Sequence, residues 1–339
     1  MMDSKLITDF SDKVFDDNPS QIGNSFLLGS AYDHLSANKI NIPEGFAITP
    51  AAFAYYLSEG GIKTKLVELL GNLDKQKFTN LNKIGKSIRV LLLESDLPPR
   101  MQAQILVAKS GIAHSVKAAL RLTVKCIIGN NSAADGERNK MHELFFNISS
   151  EADLYKAILK SYAALFTDAE IQFREMGEIS HFDLDIYLLV QKLVRCDLGC
   201  SGISYRNSDG NENRENLFIN GCWGMPGNIL YGSSDPDLYE ISKAHENGKG
   251  PTIISKYIGA KKQTLIYFEW ESHSVEPVFI NIATSETKKG KPSLTDTEIM
   301  KLASWHWIAE DYFSKKLRLL WAKDGLTDLF YLIRVIQAL

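Results

Sequence analysis

The residues best suited to chemistry in this sequence are its cysteines, its histidines and one cluster of lysines. Cys196 and Cys200 have the spacing of a metal-binding pair, but no second Cys or His pair at ligand spacing accompanies them. Cys126 follows a predicted strand, and a small buried residue is a better interpretation there than a reactive thiol. The seven histidines are scattered, and the lysines of 288–291 are typical of a solvated loop rather than an anion site. These residues therefore predict no metal centre and no nucleophile.

The elements that would position functional side chains are both helical and extended, which predicts an α/β fold. Residues 50–120 have helical periodicity, and the pair Pro98-Pro99 must interrupt it once. Two capping boxes predict the starts of two long helices. These boxes are Ser150 with Asp153, opening a helix to about Glu175, and Thr295 with Glu298, opening a helix to about Phe313.

The strand signals lie between and after these helices. The continuous apolar run 186–190 is typical of a strand that is buried on both faces. The turn residues Asp324-Gly325 predict a closing hairpin between 317–321 and 329–333. Further strands are predicted within 42–49 and at 122–124, 144–148, 202–205, 217–220, 265–268 and 278–282.

Composition narrows the function classes. The chain has 339 residues, of which 45% are hydrophobic and 23% charged, and its net charge is −3, so it has the make-up of an ordinary globular protein with no bulk signal for nucleic acid. No apolar run approaches the roughly 20 residues of a membrane span, and the first residues lack the apolar segment of a secretory signal. Four cysteines fit a reducing compartment, so a cytoplasmic location is expected.

Short motifs occur in a fixed order from about Gly23 to the C-terminus. Pro43, Gly45, Phe46 and Thr49 form a Pro-x-Gly-Phe-x-x-Thr signature, and 190–195 reads Val-Gln-Lys-Leu-Val-Arg. In this order and spacing, the chain resembles the ATP-grasp-like N-terminal domain of the phosphoenolpyruvate synthase, pyruvate phosphate dikinase and rifampicin phosphotransferase family. The other matching pieces are 165–168 with Arg174, Trp223-Gly224 with Gly232 and Pro236-Asp237, Gly259 with Lys261, 294–296 and 321–325.

The resemblance implies an α/β (α+β) domain of two lobes with a nucleotide cleft between them. We expect a flexible N-terminal segment over 1–20, a first lobe over 21–200 and a second lobe over 201–339. In the family, this domain uses ATP and Mg²⁺ to phosphorylate a histidine on a separate swivelling domain, and none of the histidines here has the context of that residue.

At most positions that would contact phosphate or metal, the resemblance meets the wrong residue type. A family lysine is Asn24, and an arginine fork is Lys125, which keeps the charge but loses the bidentate geometry. The two positions implied to bind Mg²⁺ are Leu320 and Arg334. Three further substituted sites are Asn131-Ser132, Lys140-Met141 and Gly227. Loss of several preorganised charges, each worth about 10²–10³ in rate, predicts little catalysis and no tight Mg²⁺ binding.

The adenine side of the site depends on main-chain groups, which survive substitution. By resemblance, these belong to Gln191, Lys192, Leu193 and Val194, so a base could still be held there. The alternative interpretation is that this segment is simply a buried strand. ATP therefore stays an open ligand, whereas magnesium is not expected.

Three hypotheses about function follow from the sequence. The first is a non-catalytic relative, a pseudoenzyme that acts as a binding or scaffolding partner. The second is an ATP-dependent phosphotransferase with an altered site, working with a separate histidine-bearing protein. The third is an adenine-nucleotide sensor. The substitutions favour the first hypothesis, with a protein that carries the missing domains as the expected partner.

Overall fold

The computed structural model describes residues 5–10, 31–115, 120–128, 144–206, 216–243, 250–268 and 278–337. The contacts divide the chain into two compact units. The first comprises the described residues within Met1–Gly23 and Glu44–Leu193, and the second those within Asn24–Pro43, Val194–Glu271 and Pro277–Leu339. The lobe limits 21–200 and 201–339 stay a prediction.

The first unit is built on a five-stranded antiparallel sheet with the order β1-β2-β5-β3-β4. β5 lies at its centre because its apolar run is buried on both faces, as predicted. The strands are β1 (Ile7–Asp9), β2 (Gly45–Ile48), β3 (Leu122–Ile128), β4 (Leu144–Ile148) and β5 (Ile186–Lys192).

Helices cover one face of this sheet and enclose a single apolar core. The prediction of a helical region over 50–120 is confirmed for the part that the structure describes, and the break at Pro98-Pro99 falls between two of its helices. These helices are α2 (Pro50–Ser58), α3 (Ile62–Gly71), α4 (Leu81–Leu93) and α5 (Pro99–Ser115), followed by α6 (Glu151–Ala164) and α7 (Asp168–Met176); α1 (Tyr32–Ala37) belongs to the second unit.

The prediction of one helix from Glu151 to about Glu175 is wrong, because the chain breaks between α6 and α7. Ser150 caps α6 as expected by accepting a hydrogen bond from the backbone N–H of Asp153 at 3.0 Å. Thr167 then starts a new helix by accepting from the N–H of Glu170. The buried Arg174 side chain donates back to the carbonyl of Leu165, which holds the corner closed.

The second unit is built on a six-stranded antiparallel sheet with the order β13-β12-β6-β7-β8-β9 and a separate hairpin, β10-β11. The closing hairpin around Asp324-Gly325 is confirmed as β12 and β13. The strands are β6 (Cys200–Arg206), β7 (Leu217–Trp223), β8 (Asp237–Ser242), β9 (Thr252–Tyr257), β10 (Gln263–Phe268), β11 (Val278–Ala283), β12 (Leu317–Lys323) and β13 (Phe330–Gln337).

Helix α9 (Asp296–Phe313) packs on one face of this sheet and closes the second core, while the short α8 (Gly227–Leu230) lies beside β7 and β10. The predicted capping box is present: the Thr295 hydroxyl accepts from the N–H of Glu298, whose carboxylate accepts from the N–H of Thr295. Trp321 on β12 is buried in this core. Its ring lies against Gly202, where an added β-carbon would collide with it, and also near Gly221, where an added β-carbon would collide with the hydroxyl of Ser293.

A buried ion pair fixes β8 to the turn before β10. Asp237 and Lys261 are both fully buried, and the Lys261 ammonium donates to the Asp237 carboxylate and, at 2.8 Å, to the carbonyl of Gly259. The same carboxylate accepts from the N–H and the hydroxyl of Ser293, each at 2.7 Å, and from the hydroxyl of Tyr239 at 3.1 Å. Because its acceptor sites are filled, this charge has a structural role.

The prediction of an α/β fold is confirmed, although the sequence reading omitted three strands. β1 has only three residues, β8 mixes polar and apolar residues without strict alternation and begins with the buried Asp237, and β9 is an edge strand whose side chains are largely exposed. An exposed edge strand has no apolar pattern to reveal it. Within the described ranges, no helix is long and apolar enough to cross a membrane.

Candidate functional site

In the first unit, the structure brings two of the predicted nucleotide-site residues into contact. The Lys125 ammonium donates to the side-chain oxygen of Gln191 at 2.9 Å. Lys125 pairs with Leu189 across β3 and β5, and Thr123 pairs with Gln191, so Lys125 and Gln191 are diagonal neighbours on one face. Gln191 is only 2% exposed, whereas Lys125 is half-buried. This contact with Gln191 helps to fix the position of the Lys125 ammonium.

Strand alternation explains why Lys125 and Gln191 share a face. Val124 on β3 and Val190 on β5 both belong to the apolar core of the unit, so the residues next to them face the opposite side of the sheet. Cys126 also lies in this core, which confirms its interpretation as a small buried residue. The face that carries Lys125 is therefore the one that the helical core does not use.

The main chain of 192–194 is already engaged in hydrogen bonds. The N–H of Lys192 donates to the carbonyl of Glu44, and the N–H of Leu193 donates to the carbonyl of Arg121, both at 2.8 Å. The carbonyl of Val194 accepts from the N–H of Cys196 at 2.8 Å. Leu193 and Val194 are buried. A base bound here would have to use the remaining polar groups of this segment, and its binding stays a prediction.

In the second unit, the structure brings the two implied metal positions together. Leu320 and Arg334 are directly paired residues of β12 and β13, one step before a bulge in the ladder. Leu320 is buried and Arg334 is half-buried, and this burial lowers the pKa of the Arg334 guanidinium. An alkyl side chain has no donor atom for Mg²⁺, and a guanidinium repels a cation. The residues at these two positions therefore do not fit the metal.

The remaining positions predicted from the sequence fall into two groups. Asn24, Asn131-Ser132 and Lys140-Met141 lie outside the described residues. Gly227 begins α8, and a β-carbon added there would meet the side chain of Leu265 at 2.6 Å, so little room exists for an acidic side chain. Among the described residues, no group of three or more His, Cys, Asp or Glu side chains is arranged to hold a metal ion.

The cysteine pair has no metal-like geometry. The Cys196 thiol contacts the sulfur of Met225 at 3.2 Å, while the Cys200 thiol donates to the carbonyl of Ser293. Burial raises the pKa of both thiols far above the usual range, which keeps them protonated. Each cysteine therefore packs as a small apolar residue with its own partner.

Sequence reasoning missed Arg318, which shares a face of β12 with Leu320. Leu317 and Leu319 enter the apolar core, so Arg318 and Leu320 lie on the opposite face. The alternation of 317–320 already contained this signal.

Comparison with known proteins agrees with this arrangement of elements. A sequence model of the family described as "Pyruvate phosphate dikinase, AMP/ATP-binding domain" matches residues 26–338. The chain belongs to this family. The resemblance inferred from the motifs is confirmed, and with it the assignment of the α/β architecture to the ATP-grasp-like class.

Several phosphoenolpyruvate synthases are similar to most of this chain. The synthase of Synechocystis is 27% identical over 323 residues, covering 92% of the chain, and that of Aquifex aeolicus is 26% identical over 339 residues, covering 98%. The synthase of Helicobacter pylori is 28% identical over 321 residues, covering 92%. The chain spans 39% of the length of each of these relatives.

Proposed function

We propose that this chain is a non-catalytic member of the pyruvate phosphate dikinase AMP/ATP-binding family that acts as a binding or scaffolding partner. The observation that carries the proposal is the direct pairing of Leu320 with Arg334, since these are the positions that the resemblance assigns to Mg²⁺. Phosphoryl transfer depends on metal ions that bridge phosphate oxygens and neutralise the developing charge. A leucine and a guanidinium supply neither ligand.

The partner that fits this proposal is a protein carrying the domains that the relatives have beyond the matched segment. The segment shared with this chain is 39% of the length of each of these relatives. We expect the complex to be cytoplasmic, with neither nucleic acid nor membrane as the ligand.

An adenine-nucleotide sensor is the second candidate, and the contact of Lys125 with Gln191 favours it. A cation held on the open face of the first sheet retains one charge for phosphate even where catalysis is lost. An ATP-dependent phosphotransferase that works with a separate histidine-bearing protein is the third reading. It requires a source of positive charge other than a metal bound at Leu320 and Arg334.

Titration of the purified chain with ATP, with and without Mg²⁺, separates these functions. Calorimetry should show that Mg²⁺ does not raise the affinity for ATP, and a tenfold or larger gain would contradict the proposal. The chain should also leave radiolabelled ATP intact. Formation of AMP and phosphate at a rate abolished by Lys125→Ala would establish the phosphotransferase instead.

Rebuilding the site tests whether the substitutions alone explain inactivity. Leu320→Glu with Arg334→Gln restores the metal pair, and Asn24→Lys with Lys125→Arg restores the phosphate clamp. The metal pair alone should give no Mg²⁺ binding, because a bound phosphate is itself a ligand of the ion. The clamp pair alone should raise the affinity for ATP by about 1–3 kcal/mol. The quadruple variant should bind ATP in a Mg²⁺-dependent way. Melting curves must accompany these titrations, since a buried glutamate without a metal destabilises the fold. A folded quadruple variant that ignores ATP would show that the site differs beyond these positions.

A further inference from the structure

Three exposed leucines surround the Asp324-Gly325 turn of the second unit, and we call them the leucine patch. Leu198, Leu326 and Leu329 are 46%, 60% and 46% exposed. A β-carbon added at Gly325 would meet the β-carbon of Leu198 at 2.6 Å, so Leu198 lies against the residue that precedes Leu326. Leu329 closes the same turn, because its carbonyl accepts from the N–H of Asp324 at 2.9 Å. Two segments far apart in the sequence therefore build one apolar surface.

Hydrogen bonds hold both segments of the leucine patch in place. One oxygen of the buried Asp324 carboxylate accepts from the N–H of Leu326 at 2.8 Å and of Thr327 at 3.2 Å. The other oxygen accepts from the N–H of Arg195 at 3.2 Å, and the carbonyl of Arg195 accepts from the N–H of Gly325 at 3.0 Å. The leucines are thus displayed on a fixed backbone, so a partner that covers them need not order these segments first.

The leucine patch carries a charge of opposite sign at each end. At the Leu198 end, the Lys288 ammonium donates to the Leu198 carbonyl at 3.4 Å and lies over the ring of Trp223 at 4.8 Å. Lys288 has no carboxylate partner in the part of the chain that the structure describes. In the other segment, the Asp328 side chain is 85% exposed, although it pairs with Lys323 at 3.1 Å. Both charges are available to a second molecule.

We propose that the leucine patch is a self-association surface, on which a second copy of this chain docks about a twofold axis. A twofold interface joins the same surface of both copies, so that surface must be complementary to itself. With the axis between the two ends of the patch, leucines meet leucines at the centre and each Lys288 faces the Asp328 of the other copy. An apolar centre with a polar rim is the usual anatomy of such interfaces.

The charges favour a second copy over an unrelated partner. A partner of uniform charge would be attracted to one end of the leucine patch and repelled from the other, whereas a second copy turned about the twofold axis satisfies both ends. The inference goes beyond the proposed function, because self-association through this surface does not depend on whether the chain binds or uses ATP.

Sedimentation of the purified chain over a wide range of concentrations tests the proposal. Three leucines form a small contact beside the roughly 800 Å² that each partner of a stable complex buries, so we expect a weak dimer whose fraction rises with protein concentration and falls with added salt. Leu326→Ser should weaken the dimer at least tenfold, because the change removes apolar area from both copies. A chain that stays monomeric at its highest soluble concentration would overturn the proposal. Assemblies that grow beyond the dimer would also overturn it, since a twofold contact closes at two copies.

An exchange of charges tests the pairing of Lys288 with Asp328. Lys288→Glu and Asp328→Lys should each weaken the dimer, because each brings like charges together at two places in the interface. An equimolar mixture of these two variants should associate as tightly as the parent chain, since opposite charges then face each other at both places. If the mixture associates no more tightly than either variant alone, the proposed docking is wrong. Asp328 has a φ of 58°, so melting curves must accompany Asp328→Lys; Leu326→Ser and Lys288→Glu test the surface even if that turn does not tolerate lysine.

The matched controls make the same kinds of change at exposed positions of the first unit. Lys83→Glu on α4 reverses a charge, and Val107→Ser on α5 removes an aliphatic side chain that is 75% exposed. Both variants should leave the dimer unchanged, and an equal weakening would show that the association is non-specific and that the proposal fails. Leu326→Ser should bind ATP as the parent chain does. The sedimentation results therefore judge self-association separately from the ATP titrations that judge the non-catalytic function.

Discussion

Removing the buried ammonium of Lys261 should be among the most damaging single changes to the second unit. In Lys261→Met, the side-chain volume is nearly kept, but two hydrogen bonds disappear: the charged one to Asp237 and the one to the carbonyl of Gly259. The first is worth about 1.5–3 kcal/mol and the second about 1 kcal/mol. The carboxylate left behind is fully buried and keeps donors from Ser293, Tyr239 and the Gly259 N–H but no counter-charge.

The expected loss of unfolding free energy is therefore about 3–5 kcal/mol, the range for breaking a buried ion pair by removing one partner. For a unit of this size, it corresponds to a fall in melting temperature of roughly 6–20 °C. Urea unfolding followed by tryptophan fluorescence is the appropriate assay, because the tryptophans that the structure describes all belong to the second unit: Trp223, Trp305, Trp307 and Trp321.

The matched control is Lys256→Met, which removes an exposed lysine that pairs with the exposed Asp296. Exposed pairs contribute about 0–1 kcal/mol, so this variant should be close to the parent protein. If Lys261→Met loses less than about 1 kcal/mol, or no more than the control, the Asp237 carboxylate is satisfied by its neutral donors alone. Lys261 would then not be an essential counter-charge for Asp237.

Three further predictions concern the packing and titration of single residues. Tyr162→Phe should leave the free energy of unfolding unchanged or raised, because the buried Tyr162 hydroxyl has no partner among the described residues. Tyr56→Phe should lose about 1 kcal/mol, because the Tyr56 hydroxyl donates to a backbone carbonyl at 3.1 Å. Urea unfolding compares the two variants, and equal losses would contradict this difference. Burial and the neighbouring Arg174 guanidinium lower the pKa of His181. As the pH falls below about 6.5, the unfolded chain therefore binds a proton at this histidine before the folded chain does, and the free energy of unfolding should fall. A His181→Gln variant with the same pH profile of stability would refute this. Gly202→Ala should lower the free energy of unfolding by about 1–3 kcal/mol or more, since the new methyl group collides with a strand carbonyl. Gly111→Ala, in the open interior of α5, should instead raise it by about 0.5–1 kcal/mol. Calorimetric melting distinguishes the two variants, and equal shifts in melting temperature would show that the strand adjusts to the methyl group.

Local signals in the sequence determined the ends of several elements. The box of Thr295 and Glu298 fixes the start of α9 because both reciprocal bonds form between residues three apart. The turn at Asp324-Gly325 likewise determines that β12 and β13 form a hairpin, and the apolar run of β5 determines that this strand is central. Short-range bonds and burial on both faces leave patterns that can be read without a fold.

The sequence alone did not show that the helical region 151–175 is divided into two helices, because both Ser150 and Thr167 can cap a helix start. The apolar periodicity of 151–175 continues through Thr167, yet the chain turns there. The cap at Thr167 and the long-range burial of Leu165 and Phe166 outweigh the gain from continuing one helix. Tertiary packing made that decision, because the cost of one extra helix end is small beside the burial of two large side chains.

The candidate site shows the same division. The resemblance predicted Lys125, Gln191, Leu320 and Arg334 as candidate positions, and residue type alone shows that Leu320 and Arg334 offer no ligand atom for a metal. Only the tertiary structure joined Lys125 to Gln191, and only the register of β12 with β13 placed Arg318 diagonally beside Arg334. Strand pairing across many residues sets which side chains meet, and a shift of one position would turn each of them to the other face.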